Sequence, residues 1–296
     1  MKKNLISLSS LSKDEFRQWQ LSMLDILVYF RDFCIEHNLR FFLSAGSCIG
    51  AIRHKGFIPW DGDIDVIMPR DDYDKLLSLW NQFADTNRYE CCITTEKQTI
   101  GFPMILIRSK NTTCIYDHSK QWDICHGMKL DVEHYDGMPK GKINQNIQYV
   151  ESLAFALFRT QRVPNQKSRF IKTLSKVILT LFRNPKICYK ISEVLEKQIK
   201  KYDCKTAEYV RYLNNAPMKR EFFDNVLWVD FEGTPMPIPE NYHEFLQAEY
   251  GDYMKLPPVE AQKPKTDCLA FYDLKNGYEK YKGIHYCVNP KYMKNK

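Results

Sequence analysis

The most informative segment of the sequence is FFLSAGSCIGAIRHKGFIPWDGDIDVIMPRDDY, residues 41–73. Two short apolar runs, 41–44 and 63–68, have the length and composition of buried strands. Between them, Ser47 follows a glycine and is predicted to cap a short helix over residues 48–54. The segment therefore predicts a strand, a helix and a second strand in close succession, which is typical of an α/β fold.

Two aspartates lie at the start of the second predicted strand. Side chains alternate between the faces of a strand, so Asp63 and Asp65 share one face while Ile64 and Val66 point into the core. Two carboxylates on one face repel each other unless a cation lies between them. Hard oxygen ligands favour hard cations, and Mg²⁺ commonly binds one or two carboxylates together with substrate phosphates. The pair therefore predicts a site for Mg²⁺ or Mn²⁺.

The turn at Gly46 and Ser47 is predicted to contribute an anion-binding part to this site. A Gly-Ser turn at a helix N-terminus offers backbone N–H groups and a hydroxyl to an anion. Together with the aspartates it indicates a metal-assisted phosphate site. The alternative is an exposed acidic turn before an ordinary helix, but the apolar flanks and the Pro59–Trp60 lead-in favour the phosphate site.

The run AIRHKGFIPWDGDIDVIMPRDDY, residues 51–73, resembles the signature of the LicD family. These are phosphotransferases with a nucleotidyltransferase-type fold, related to the fukutin group. The resemblance implies that Gly-Ser and the Asp-x-Asp pair hold metal and a nucleotide diphosphate. It also implies that a phospho-alcohol, such as phosphocholine or ribitol phosphate, moves from a CDP-activated donor to a hydroxyl of a cell-surface glycan, with release of CMP. Gly62 departs from the commonest form, which is acidic there, but Asp63 and Asp65 are intact.

A further acidic block, MKLDVEHYDGMP, spans residues 128–139. Its alternating pattern predicts a strand with Asp131 and Glu133 on one face, and Asp136 is predicted to form a turn. The block resembles the third acidic block of the family, although residues 133–135 stand where the family usually has an apolar pair and proline. The resemblance implies that Asp131 completes the metal-binding carboxylates. A carboxylate there can also take the proton from an attacking hydroxyl.

Basic side chains near these carboxylates are candidates for donor binding. Arg53, His54 and Lys55 precede the acidic pair, and a loop-surface role is the alternative for His54. Arg108 stands where the family pattern has a basic residue, so the resemblance implies contact with a phosphate. The alternative is a surface arginine at a strand end. The predicted substrate-binding set is Gly46, Ser47, Arg53, His54, Lys55 and Arg108.

Periodicity predicts the flanking elements. Residues 14–37 carry apolar side chains at steps of three and four, which indicates a core-facing helix that begins with a capping box of Ser12 and Glu15. Another helix is predicted over 71–83. The apolar runs within 102–116 are predicted to form a hairpin.

The segment 231–258 resembles the family again, with an FEG, a proline-rich step and a YGDYMKLPP close. Its prolines predict an extended stretch outside a central strand, followed by a helix over 242–250 that ends at Gly251. Tyr250 and Tyr253 are predicted to lock this tail against the sheet rather than to touch substrate.

Residues 142–205 are predicted to form a helical insertion within a single domain of residues 1–296. Three apolar stripes at helical spacing support this prediction. Residues 159–201 contain twelve lysines and arginines against two acids, a net charge of +10, whereas the whole chain carries +7. This charge is compatible with an anionic membrane surface, with a solvated helical cap and with a nucleic-acid surface. The resemblance favours the membrane surface. Because the resemblance implies lipid-linked or membrane-proximal acceptors, no nucleic-acid partner is expected.

Composition bounds the class of protein. The 296-residue chain has 44% hydrophobic and 14% aromatic residues, which is typical of a globular protein. No apolar core of signal-peptide length follows the N-terminal lysines, and no apolar run approaches 18 residues. A cytoplasmic location is therefore expected, with peripheral contact to the inner face of the membrane. For the ten cysteines, inert thiols are the default, and zinc binding by Cys91–Cys92, Cys114, Cys125 and His126 is the alternative.

The predicted elements indicate an α/β (α+β) fold, and the resemblance implies a nucleotidyltransferase-type mixed sheet. The predicted catalytic residues are Asp63, Asp65 and Asp131, which also bind Mg²⁺ or Mn²⁺. Lipopolysaccharide, capsule and teichoic acid are the implied acceptors, and CDP-choline and CDP-ribitol are leading donors. Two other functions stay open: a nucleotidyltransferase that attacks an NTP and releases pyrophosphate, and a non-catalytic glycan- or membrane-binding module.

Overall fold

A mixed sheet lies at the centre of the molecule and confirms the predicted α/β fold class. The computed structural model describes residues 5–164, 168–264 and 269–288. Its helices are α1 Lys13–Glu36, α2 Ala45–His54, α3 Arg70–Phe83, α4 Lys142–Thr160, α5 Arg169–Leu181, α6 Pro185–Ile199 and α7 Tyr242–Tyr250. Its strands are β1 Phe42–Leu43, β2 Asp65–Pro69, β3 Tyr89–Cys92, β4 Ile105–Ser109, β5 Thr113–Tyr116, β6 Lys129–Gly137, β7 Tyr209–Arg211, β8 Met218–Lys219, β9 Val226–Phe231, β10 Thr234–Pro239 and β11 Leu269–Asp273.

The main sheet has the strand order β1-β2-β6-β4-β3, and β7 pairs with the end of β6 and with β8. Strands β2 and β6 are parallel, whereas the other neighbours are antiparallel. In the parallel pair Asp65 lies beside Asp131, and Ile67 lies beside Glu133. Because side chains alternate along each strand, the three carboxylates lie on one face of the sheet.

Two helices cover the opposite face. Helix α1 begins with the predicted capping box, in which Ser12 Oγ accepts the N–H of Glu15 and the Glu15 carboxylate accepts the N–H of Ser12. Helix α3 places Tyr73 against His134, with ring centroids 4.4 Å apart. His134 alternates with Glu133 along β6, so the helices pack on the apolar face and leave the carboxylates on the other.

The predicted hairpin over 102–116 is wrong. Strand β4 pairs with β3 and β6 in the main sheet, whereas β5 pairs with β11 in a separate two-stranded sheet. Leu269 of β11 also exchanges two backbone hydrogen bonds with Ile6, at 2.9 and 3.2 Å. Strand β5 therefore pairs with a strand that is distant in the sequence, and that strand also contacts the N-terminal segment.

The turn predicted at Asp136 is also wrong. Strand β6 continues through Gly137, and Asp136 accepts two hydrogen bonds from the buried Arg70, at 2.6 and 2.9 Å. Burial alone would raise the pKa of Asp136, but the charge and hydrogen bonds of Arg70 hold it below its ordinary value. Arg70 also donates to Glu196 of α6 at 2.9 Å. The carboxylate therefore joins β6, α3 and α6 instead of forming a turn.

The three stripes predicted for residues 142–205 correspond to α4, α5 and α6. Helix α4 packs against α6, and Arg159 donates to Glu193 and Glu196 at 2.7 and 2.6 Å. None of the helices within the described ranges combines the length and the apolar content needed to cross a bilayer. The limits of the insertion, and a single domain over 1–296, stay predictions.

The C-terminal segment agrees with its predicted elements. The prolines lie in β10, which pairs with β9 outside the main sheet. Helix α7 ends at Tyr250, and Gly251 follows as predicted. Tyr253 is buried, and its carbonyl accepts a hydrogen bond from Arg53 at 2.6 Å. Tyr250, in contrast, is 43% exposed.

Candidate active site

Helix α2 begins earlier than predicted, and its first turn lies beside the carboxylates. Ser44 is the N-cap residue and the helix starts at Ala45, so the predicted cap at Ser47 is wrong. Ala45 has a positive φ of 46°, which lets the chain turn from β1 directly into the helix. Ser47 lies in the first turn, where its Oγ accepts the N–H of Asp65 at 3.0 Å. The serine thus fixes the start of β2 rather than the start of its own helix.

Gly46 lies in the same turn, against the carboxylate of Asp61. A Cβ at this position would lie 2.2 Å from Asp61 Oδ2, which is too close for any side chain unless Asp61 moves. The first N–H groups of a helix have no partner within it, and the positive end of the helix dipole lies there. The glycine therefore allows an anionic group to approach the positive end of α2.

Replacing Gly46 by alanine is expected to displace Asp61 and to lower kcat/KM about tenfold to a hundredfold, because misplacing a binding group by about 1 Å is enough for such a loss. The fold should persist, since Asp61 has a short side chain that can shift. Steady-state kinetics and a thermal melt monitored by circular dichroism provide the measurement. An alanine variant as active as the wild type would show that this turn does not hold substrate.

Acidic side chains gather where β2 and β6 run side by side. The pKa of Asp65 is well above its ordinary value, because of its burial and the charges of Asp63, Glu133 and Asp131. The charge of Lys129 acts in the opposite direction. The cluster therefore contains like-charge repulsion that a bound cation would relieve.

Lys129 and Asp131 form a largely buried ion pair that was not predicted from the sequence. They lie two residues apart on one face of β6. Lys129 Nζ donates to Asp131 Oδ2, whereas Asp131 Oδ1 is buried and has no hydrogen-bond partner among the described residues. Lys129, Asp131 and Glu133 alternate along the sequence, and this pattern could have predicted that they share one face of the strand. One carboxylate oxygen of Asp131 is therefore available to a ligand.

Glu133 lies on the predicted face, although no functional role was predicted for it. Its burial and the charges of Asp131 and Glu249 raise its pKa to about 8. Ser44 Oγ donates to the Glu133 carboxylate at 3.4 Å. On α7, burial and the charge of Glu249, together with those of the sheet carboxylates, raise the pKa of Tyr250. Tyr250 therefore lies close to the carboxylate cluster, whereas it was predicted to hold the C-terminal segment against the sheet.

The carboxylate oxygens of the cluster fit a divalent cation that is coordinated jointly by the protein and the substrate. Asp63 and Asp65 offer hard carboxylate oxygens, and Asp131 Oδ1 has no partner within the described part of the chain. Across residues 5–164, 168–264 and 269–288, no three His, Cys, Asp or Glu side chains converge as a complete metal site. Two carboxylates with substrate phosphate oxygens form a coordination that Mg²⁺ commonly accepts. Binding of Mg²⁺ or Mn²⁺ by these aspartates stays a prediction.

The basic residues before the acidic pair lie at the far end of α2. At a rise of about 1.5 Å per residue, Arg53, His54 and Lys55 lie roughly 10–14 Å along the helix axis from Gly46. His54 is the last residue of the helix rather than part of a loop, and Arg53 Nε donates to His54 Nε2 at 3.0 Å. Their contact with a donor stays a prediction.

Arg108 is buried among thiols rather than in the carboxylate cluster. Its exposed fraction is 1%, so the alternative of a surface arginine is wrong. It donates to the Gly127 carbonyl at 2.8 Å and lies near the hydrogen-bonded thiols of Cys92 and Cys125. These thiols belong to no metal-binding group of the described residues, so the zinc alternative finds no support. A role of Arg108 in substrate binding stays a prediction.

Comparison with known proteins identifies relatives of this chain. Residues 38–119 match the family model described as "LicD/FKTN/FKRP, nucleotidyltransferase domain". The lipopolysaccharide cholinephosphotransferase LicD of Haemophilus influenzae is 30% identical over 274 residues, which cover 86% of this chain and 97% of that protein. An uncharacterized protein of Rickettsia prowazekii is 29% identical over 94 residues, 31% of this chain and 35% of that protein. The identity to the Haemophilus protein extends over nearly its full length, and the chain therefore belongs to the LicD family and is a LicD-type phosphotransferase.

Proposed function

We propose that this enzyme transfers a phospho-alcohol, in the first place phosphocholine, from a CDP-activated donor to a hydroxyl of a cell-surface glycan, with release of CMP. The carboxylate cluster beside the first turn of α2 is the observation that carries the proposal. The name of the Haemophilus relative supports phosphocholine as the transferred group and lipopolysaccharide as the acceptor. CDP-ribitol as donor, and capsule or teichoic acid as acceptor, belong to the same class. The proposal includes contact of residues 159–201 with an anionic membrane surface on the cytoplasmic side.

The residues around the cluster bind and orient the diphosphate in this proposal. A divalent cation held by Asp63 and Asp65 supplies positive charge to the phosphate oxygens. The amides around Gly46 donate to the same group, and the Ser47 hydroxyl, whose oxygen accepts from Asp65, can donate its proton to a phosphate oxygen. Lys129 adds a fixed positive charge beside Asp131. These groups stabilise the negative charge that develops on CMP as its bond to the transferred phosphorus breaks.

Asp131 is the proposed base for the acceptor hydroxyl. Lys129 holds its Oδ2, and its Oδ1 has no hydrogen-bond partner in the described residues, so the carboxylate is oriented with one oxygen available. The acceptor oxygen attacks the phosphorus distal to cytidine as its proton passes to this carboxylate. The phosphorus–oxygen bond to CMP breaks, and CMP leaves with that electron pair.

A second candidate function is supported by the matched family description, which names a nucleotidyltransferase domain. In that case an acceptor attacks the α-phosphate of an NTP and pyrophosphate leaves. The same carboxylates serve both reactions, because each one needs a cation and a bound phosphate chain.

The released nucleotide distinguishes these functions. The protein is incubated with CDP-choline, CDP-ribitol, CDP-glycerol or CTP, together with a lipopolysaccharide acceptor and either Mg²⁺ or EDTA. We expect CMP from one CDP-alcohol, in the presence of Mg²⁺ only, because the carboxylate cluster needs a counter-charge to accept the diphosphate. Pyrophosphate from CTP would instead favour the nucleotidyltransferase. If no donor yields a product and calorimetry detects no binding, both proposed reactions are contradicted.

A further inference from the structure

Helix α5 carries an apolar stripe that the described structure leaves half to three-quarters exposed. Phe170, Leu174, Val177 and Leu181 follow one another at steps of four, three and four. They therefore form one line along the helix. Their exposed fractions are 76, 47, 50 and 75%. In this helix, which is described over its full length, the only buried side chain is Ser175.

An apolar groove of about 520 Å³ lies beside the stripe, between α4 and α5. Leu174 belongs to both the stripe and the groove. On α4, the exposed Ile143 and Ile147 continue the apolar surface toward the groove residue Val150. The apolar surface thus extends over two helices, which is larger than the isolated exposed side chains that soluble proteins commonly carry.

Positive charge lies around this surface. Lys172 and Lys176, four residues apart on α5, lie on the side of the helix away from the stripe. The two acids between residues 159 and 201, Glu193 and Glu196, are both bound by Arg159. Lys190 and Lys200 pair with Glu96 and Asp74 outside the segment, so only part of its net charge of +10 is compensated.

We propose that α5 is an interfacial helix that binds an anionic lipid bilayer, with its apolar stripe among the acyl chains and its lysines at the lipid phosphates. A bilayer of this kind complements both properties of the surface. A nucleic acid would neutralise the lysines but leave the stripe in water. A second copy of the chain would cover the stripe but bring two positive segments together. The proposal extends the proposed function by naming how the enzyme meets a membrane, and its test needs no turnover.

The test is flotation of the full chain with vesicles of phosphatidylcholine alone and of phosphatidylcholine with an equal amount of phosphatidylglycerol. Two triple variants separate the apolar and electrostatic contributions: Phe170→Ser with Val177→Ser and Leu181→Ser, and Lys172→Gln with Lys176→Gln and Arg183→Gln. The matched controls, at exposed positions outside the insertion, are Phe83→Ser with Val259→Ser and Ile284→Ser, and Lys13→Gln with Lys97→Gln and Lys255→Gln.

We expect the wild type and both controls to float with the anionic vesicles only. The lysine and arginine variant should lose roughly 100-fold in partition at low salt. The stripe variant should lose at least about tenfold, and salt should abolish its residual binding because only charge attraction remains. Both triple variants should keep wild-type turnover of a water-soluble acceptor, so a failure of the proposed chemistry is distinguishable from a failure of membrane binding.

Three results would overturn the proposal. The first is a stripe variant that partitions as well as the wild type. The second is a control that loses as much binding as its matched variant. The third is a wild type that binds no vesicle and runs as a dimer in size-exclusion chromatography, with the stripe variant running as a monomer, because a second copy would then cover the stripe.

Discussion

Replacing Asp63 and Asp65 together by asparagine is expected to lower kcat/KM at least about 1000-fold, which corresponds to about 4 kcal/mol of transition-state stabilisation. Asparagine keeps the shape of each side chain but removes the two charges that hold the cation in the proposed function. Calorimetry should detect Mg²⁺-dependent binding of CDP-choline to the wild type and none to the double variant. Turnover and donor binding are measured on the same preparations.

The metal-free double variant should be at least as stable as the wild type. Burial and the neighbouring charges of Asp63, Glu133 and Asp131 raise the pKa of Asp65, so its ionised form opposes folding at neutral pH. Thermal melts in EDTA test this. Asp230→Asn with Asp252→Asn removes two exposed charges elsewhere and should change neither melting nor turnover. Turnover of the Asp63/Asp65 variant within tenfold of the wild type would contradict the assignment of the cation to these residues.

Replacing Asp136 by asparagine is expected to destabilise the fold by about 3–5 kcal/mol, the usual consequence of removing one partner of a buried ion pair. Arg70 is buried and donates to both oxygens of Asp136, at 2.6 and 2.9 Å. Among the described residues, the acidic partners left to the Arg70 charge would be Glu196 and the half-exposed Asp74. Urea denaturation measures the change in the free energy of unfolding.

The matched control replaces both partners, Arg70→Met with Asp136→Leu, and leaves no buried charge unpaired. Apolar replacement of a whole ion pair is often nearly neutral, so the double variant should be closer to the wild type than Asp136→Asn is. A single variant as stable as the wild type would show that the ion pair does not contribute to folding.

The same contact predicts that the wild type loses stability in acid. The pKa of Asp136 in the folded protein lies below its ordinary value of 3.8, so the unfolded chain takes up a proton first as the pH falls. The contribution of the Arg70–Asp136 ion pair to the free energy of unfolding is therefore complete above about pH 5 and is lost as the pH falls below about 4. The free energy of unfolding of Asp136→Asn should lack this part of the pH dependence.

Local sequence patterns predicted the elements that position the site. Alternation along 128–139 placed Asp131 and Glu133 on one face, and the structure extends this alternation to Lys129. Strand β2 begins at Asp65, two residues later than predicted, because Ser47 receives the N–H of Asp65 and sets its start. Periodicity works here because each element buries one face against the same core.

One error arises from a local backbone conformation, and two arise where a residue depends on a partner that is distant in the sequence. The early start of α2 depends on the positive φ of Ala45, a conformation that alanine rarely adopts and that no local pattern indicates. The turn expected at Asp136 follows the usual chemistry of Asp before Gly, but Arg70, 66 residues away, supplies a buried counter-charge. The prediction of a hairpin over 102–116 is wrong because β5 pairs with β11 and not with β4.

The pairing of β5 with β11 also constrains how the molecule is made. Strand β11 joins β5 and, through Leu269, the backbone of Ile6. During synthesis, β5 and Ile6 leave the ribosome long before residue 269 does. Until β11 has been synthesised, the edge of β5 that pairs with it has no partner strand. Contacts between residues so distant in sequence form late and slow the final folding step. Nascent chains that stop short of β11 would therefore carry an unpaired strand edge, which is the kind of surface on which aggregation begins.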